Sequence, residues 1–232
     1  MKIEFIILLV ILGLFYLTLR YIFDVNIKKL KEISKNEKLD ELTKKYPENK
    51  EICKWYLRKL NNENVKIEED TNSNSTLYLV ISNKIFIANL NDSFTRIQTI
   101  AHECLHSIQS KKMLWFNFIF SNIYLIFFFT ICVLAVFKVL PSKILFFTIL
   151  LILGFVLYSV RTYLEDDAMT KARFLAKEYM QDIHISSEEE IDEIVGAYDF
   201  LNDAGIKCTN FSLLSGVVIR CVVFLVICVV FA

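Results

Sequence analysis

Residues 114–160 read LWFNFIFSNIYLIFFFTICVLAVFKVLPSKILFFTILLILGFVLYSV, two apolar runs (114–137 and 144–160) joined by the short linker Lys138 to Lys143. A helix rises about 1.5 Å per residue, so about 20 apolar residues cross a hydrocarbon core. The linker holds the only charges of the stretch and carries Pro141, a helix breaker. The two runs therefore read as a tight transmembrane hairpin, which returns the chain to the side it came from.

Two more apolar runs lie outward of the hairpin, Phe5 to Phe23 and Leu213 to Ala232. The first follows Lys2 as a signal peptide would, but no small-x-small cleavage site comes after it, and Arg20, Tyr21 and Phe23 continue it as an interfacial anchor. It reads as a retained anchor. The composition agrees: of 232 residues 55% are hydrophobic and 20 are Phe, too apolar for an ordinary soluble domain of this size. The expected fold is a mainly α integral membrane protein with about four transmembrane helices.

The expected organisation is an N-terminal anchor over residues 1–24, a polar segment 25–113, the hairpin 114–160, a second polar segment 161–212, and a C-terminal transmembrane helix 213–232. Near the membrane ends the side of the two polar segments carries Arg20, Lys28, Lys29, Lys31, Lys35, Lys38, Lys111, Lys112, Arg161, Lys171, Arg173 and Lys177, whereas Lys2, Lys138 and Lys143 fall on the other side. The positive-inside rule puts both polar segments in the cytosol and the protein in the cell membrane as a multi-pass chain. Net charge is zero, from 26 basic and 26 acidic residues, which gives nucleic acid binding no support. The six cysteines form no CxxC pair and read as free thiols.

The first polar segment opens with a Lys/Glu-rich helical stretch to about Leu60, broken at Pro47, whose charge reads as a solvated surface. An Asn/Ser/Glu-rich loop is expected from Asn61 to Thr76. Leu77 to Ser82 and Ile85 to Leu90 are β-branched and aromatic runs around a Ser82-Asn83-Lys84 turn, a small β-hairpin. The second polar segment is expected to be helical in both halves, with a loop near His184 to Ser187 and Ser187 as a helix cap.

Chemistry concentrates in Ala101-His102-Glu103-Cys104-Leu105-His106, an HExxH pattern. Two imidazoles at i and i+4 lie about 40° apart on one helix face and can grip one tetrahedral metal, with the glutamate flanking it as a base for bound water. On a helical wheel Phe94, Ile97, Ile100, Ala101, Cys104, Leu105 and Ile108 share one arc. Thr95, Gln98, Thr99, His102, Glu103, His106 and Gln109 share the other. Asp92 or Ser93 is placed to cap the helix start, and Lys111 with Lys112 to close it. Cys104 falls on the apolar arc and is expected to pack in the core.

A catalytic zinc site takes three protein ligands and leaves a position for water. His184, the remaining histidine, sits in an expected exposed loop, so Glu165, Asp166 and Asp167, which follow the hairpin, are the better candidates. If the helix continues there, Glu165 falls amid Leu164, Ala168, Met169, Ala172, Leu175, Ala176 and Tyr179, and Asp166 among Thr170, Arg173 and Lys177. A carboxylate on the packed face needs a cation, either a zinc ion or Arg161 one turn earlier.

With Ala101 to Gln109 reading AHECLHSIQ, a hairpin following, and then Glu165-Asp166-Asp167-Ala168, the chain resembles the YugP-type membrane zinc metallopeptidases, which show an AHExxHxxQ helix, a hairpin and an E-x-D-A segment in this order. The resemblance implies zinc held by His102, His106 and Glu165, Glu103 as general base, and a supporting role for Asp167. The family's usual Val-Gly inside the motif is Cys104-Leu105 here, and its Leu-Asn-x-Ala segment ending in Tyr corresponds to Leu201-Asn202-Asp203-Ala204 ending at Cys208. The layout also resembles the membrane heat-shock peptidases related to CAAX-processing proteases. The expected function is hydrolysis of peptide bonds in a peptide or protein substrate, membrane-associated like the enzyme. The rival is a metal-binding or scaffold protein of the same fold without turnover.

Overall fold

The computed structural model describes residues 13–33, 35–70, 73, 75–90 and 93–231. Residues 5–12 of the expected N-terminal span, and Asp92, lie outside these. Among the described residues three helices are long and apolar enough to cross a membrane, α5 (Lys111–Val136), α6 (Lys143–Ile183) and α7 (Glu188–Val230), as expected of a mainly helical membrane protein. The expected boundaries near 160 and 212 are not breaks in the backbone, because both helices run unbroken from the apolar run into the polar segment. The chain divides into two units, one of residues 1–108 and 167–211, the other of 109–166 and 212–232.

The first unit holds the polar segments. Helices α1 (Ile27–Ile33), α2 (Glu37–Lys44) and α3 (Asn49–Lys59) precede three strands, β1 (Lys66–Asp70), β2 (Leu77–Leu79) and β3 (Lys84–Ala88), and then α4 (Arg96–Ile108). The expected hairpin is present as β2 and β3, antiparallel with Tyr78 opposite Ile85, and shorter than expected. The expected loop from Asn61 to Thr76 instead contains β1, which pairs parallel with β3, so β3 is the central strand. Its sequence KIEED is masked by charge: β1 is an edge whose side chains are mostly exposed, and charge is tolerated there.

The Lys/Glu-rich helices are not merely a solvated surface. Ile52, Cys53, Tyr56 and Leu57 of α3 are buried, as are Ile97, Ile100, Ala101 and Cys104 of α4. The Tyr56 hydroxyl donates to the carbonyl of Ile97 (3.2 Å), and that of Tyr198 donates to the carbonyl of Phe94 (2.6 Å). Arg96 is 3% exposed and donates to the carbonyls of Thr43, Tyr46 and Pro47 and to Asn49 Oδ1, at 2.8–2.9 Å. Its charge lies at the C-terminal end of α2, where the helix dipole favours a cation. The expected cap at Ser187 forms as a capping box: Glu190 N–H donates to Ser187 Oγ, and Ser187 N–H to Glu190 Oε2.

The second unit is built from α5, residues 143–166 of α6 and residues 212–230 of α7. Tyr124, Phe128, Ile131 and Cys132, Leu150, and Val217, Cys221 and Phe224 form its core. Apolar residues also cover its outside, with Ile119, Ile123, Ile126, Phe129, Val218 and Val222 exposed, the signature of a surface solvated by lipid. Helix α5 ends before Pro141: Lys138 takes the left-handed conformation (φ 59°), and the amides of Lys138 and Val139 donate to the carbonyls of Ala135 and Leu134.

Candidate metal centre

Helix α4 carries the motif and ends at Ile108. Lys111 and Lys112 open α5 instead of closing α4, because the extended backbone at Ser110 (ψ 110°) separates the two helices. His102 and His106 stand one turn apart with their Nε2 atoms 3.0 Å from each other and their rings nearly perpendicular (87°). Two nitrogens bound to one tetrahedral zinc at about 2.0–2.1 Å would be roughly 3.3 Å apart, so the pair is within a few tenths of an ångström of a ligating geometry.

Glu103 is buried between the imidazoles and the sheet. Its Oε2 accepts the backbone N–H of Tyr78 (2.7 Å), and its Oε1 lies 3.9 Å from His102 Nε2. Tyr78 sits on β2, an outer strand of the sheet, and uses its N–H on Glu103. At this residue the strand anchors the glutamate. The end of α4 is fixed by Asn62, whose Nδ2 donates to Ser107 O and Oγ, while Ser107 Oγ donates to the carbonyl of Cys104.

Cys104 points away from the histidines into the core, its Sγ 3.6 Å from that of Cys53. Burial, reinforced by the Cys53 contact, pushes its thiol well above the ordinary range. His184 is exposed on the turn between α6 and α7, with φ at 53°.

Glu165 lies on α6 two residues from the point where that helix enters the first unit, next to buried Leu164 and one turn from buried Ala168. Glu165, Asp166 and Asp167 are all half-buried, so burial does not separate them. Gln109, the residue after α4, donates through Nε2 to the carbonyl of Leu164 (2.8 Å). His102, His106 and Glu165 form a group that could hold a metal ion, with one ligand atom from each within 4.8 Å of the others. Among the described residues no other set of three or more His, Cys, Asp or Glu does so. Two imidazoles and a carboxylate suit zinc as a donor set. Asp167 pairs with Lys171 one turn on.

Sequence reasoning named the motif residues and Glu165 but not Tyr78, Asn62 or Arg96 as their supports. Asn62 and Tyr78 sit in stretches whose composition suggests only loop and hairpin, and Arg96 looks like one more surface charge. No family model, no curated protein and no solved structure matches the chain.

Proposed function

We propose that the chain is a membrane-bound zinc metallopeptidase of the YugP type, with zinc held by His102, His106 and Glu165 and the site facing the cytosol. The observation that carries this reading is the approach of the two imidazole Nε2 atoms, 3.0 Å apart, in a group completed by Glu165. The charge distribution supports the orientation, since the basic residues near the span ends fall mainly on the motif's side.

Zinc in this site would acidify a coordinated water and polarise a substrate carbonyl. Glu103 supplies the proton transfer. With Oε2 held by the Tyr78 amide, Oε1 takes the proton from the attacking water and returns it to the leaving amine. The Tyr78 amide thereby fixes the carboxylate's direction. Burial of Glu103 and His106 keeps bulk water from screening the charges.

The test is zinc content and peptide cleavage on the purified protein. The parent should hold about one zinc per chain. Glu103→Gln should keep the zinc and lose about 10²–10⁴-fold in cleavage. His102→Ala, His106→Ala and Glu165→Ala should each lose zinc and cleavage together, whereas Asp166→Ala and His184→Ala leave both nearly unchanged. Asp167→Ala should fall between, at about 10 to 100-fold. Full zinc in both histidine variants sinks the metal assignment. A second reading, a metal-holding scaffold without turnover, is favoured by Cys208 standing where the resembled family carries Tyr, and it predicts that Glu103→Gln changes no activity.

A further inference from the structure

The second unit contains a cavity of about 340 Å³ whose walls include Ser121, Tyr124, Arg161, Ser212 and Arg220. That volume is within the range of small-ligand sites. Two arginines line it, and no Asp or Glu does. Arg161 follows the apolar run of α6 directly, while Arg220 stands eight residues beyond Ser212, inside the apolar run of α7, about 12 Å along the helix. A cation at such a position is costly unless something neutralises or solvates it. Arg220 donates to the carbonyl of Gly216 on its own helix (2.8 Å) and lies over the Tyr124 ring at 5.6 Å. Neither contact brings a negative charge.

A second observation is independent of the arginines. Tyr124 is 1% exposed, and its hydroxyl is buried without a hydrogen-bond partner. A buried hydroxyl ordinarily finds one, because leaving it unpaired costs about 1–3 kcal/mol. Gly154 makes room for this oxygen, since an added Cβ there would stand 2.8 Å from it, and Tyr124 itself lines the cavity. The cavity thus offers two guanidinium groups and one unused hydroxyl to a ligand that can accept hydrogen bonds.

The ligand has an apolar part as well. Leu125, Leu157 and Leu213 line the same cavity. Leu125 is 40% exposed and continues the wall into the outward apolar surface at Ile126 and Phe129. A phosphate bearing acyl chains meets both demands: its oxygens match the planar fork of arginine, and its chains follow the apolar wall into the bilayer. Basic pockets between transmembrane helices hold lipid headgroups in this manner.

We propose that this cavity seats the phosphate of an anionic phospholipid, with Arg161 and Arg220 as its cations and the Tyr124 hydroxyl as a further donor. The cavity shares no residue with the metal-ligating set, and the proposal does not depend on peptidase activity.

The test uses the full chain in detergent, with phosphatidylglycerol and phosphatidylcholine competing for it and retention read by native mass spectrometry. The parent should keep phosphatidylglycerol in preference to phosphatidylcholine. Arg220→Gln and Arg161→Gln should each weaken that retention by about tenfold, as expected for loss of one charge-assisted bidentate contact. Tyr124→Phe should weaken it a few-fold, and Arg220→Lys should restore part of the loss. Equal retention of the two lipids by the parent overturns the proposal, as does an Arg220→Gln protein that melts normally and keeps phosphatidylglycerol. If Arg220→Gln fails to fold, Arg161→Gln and Tyr124→Phe decide by the same criterion. Inorganic phosphate displacing the lipid at equal concentration would make this a site for free anions, and an acidic peptide doing so a peptide site; either result overturns the lipid assignment.

Discussion

Helices α4 and α5 follow one another in sequence and are solvated by opposite rules. In α4 the buried residues include Arg96, Glu103, His106 and Ser107, and each is hydrogen-bonded: the terminal nitrogens of Arg96 to three carbonyls and an amide oxygen, Glu103 to the Tyr78 amide, His106 to His102, and Ser107 to Asn62 and Cys104. In α5 the inward Phe128, Ile131 and Cys132 and the outward Ile126, Phe129 and Val133 are chemically alike. A water-facing helix must separate polar from apolar, whereas a lipid-facing one gains nothing from that separation. In α4 these buried polar groups meet donors and acceptors of the first unit; in the second unit, shape decides what is inside.

The largest effect that would sharpen this contrast is Arg96→Met. It removes a buried cation whose guanidinium donates to three carbonyls and one amide oxygen, so it should cost about 3–5 kcal/mol, read as a fall in thermal stability in detergent. A loss below 1 kcal/mol, on the scale of an ordinary surface substitution, would break the claim that partnered polar groups organise the first unit.

Alkaline titration probes the same unit. Burial raises Tyr179 to about 12 and Tyr198 further still. Both phenols have a folded pKa above the unfolded value of about 10, so the stability they contribute is complete below pH 10 and is lost as pH rises through about 12. The expected loss at that pH is on the order of 2 kcal/mol from each phenol, and Tyr198→Phe should flatten the decline. Tyrosinate absorbance rising fully near pH 10 with no loss of structure would contradict the burial.

The smallest effects test the second unit by shape. A Cβ at Gly154 would stand 2.5 Å from Val217 Cγ1, so Gly154→Ala should cost about 1–3 kcal/mol although alanine is as apolar as its surroundings. Ile126 is 65% exposed, and Ile126→Ala should stay within about 0.5 kcal/mol. Equal melting shifts for the two variants would mean that Ile126 faces protein and not lipid.

Much of this protein was legible in its sequence because the relevant signals are local. The lengths of the apolar runs set the three long helices. The i, i+4 spacing set the two histidines on one face, and the helical period singled out Glu165, which groups with them. Ser187 announced its cap by the glutamate three residues on. The β1 strand escaped because its charged sequence KIEED is stabilised by pairing with β3, which lies in a later part of the chain. The supports escaped for the same reason. That Tyr78 holds Glu103, that Asn62 holds Ser107, and that Arg96 is buried against α2 depend on contacts 25 to 53 residues apart. Arg161 and Arg220 share a cavity across a still longer separation. A helical period fixes which way a side chain points along its own axis, but which partner it meets is decided only when the chain path closes, and that information belongs to the tertiary structure.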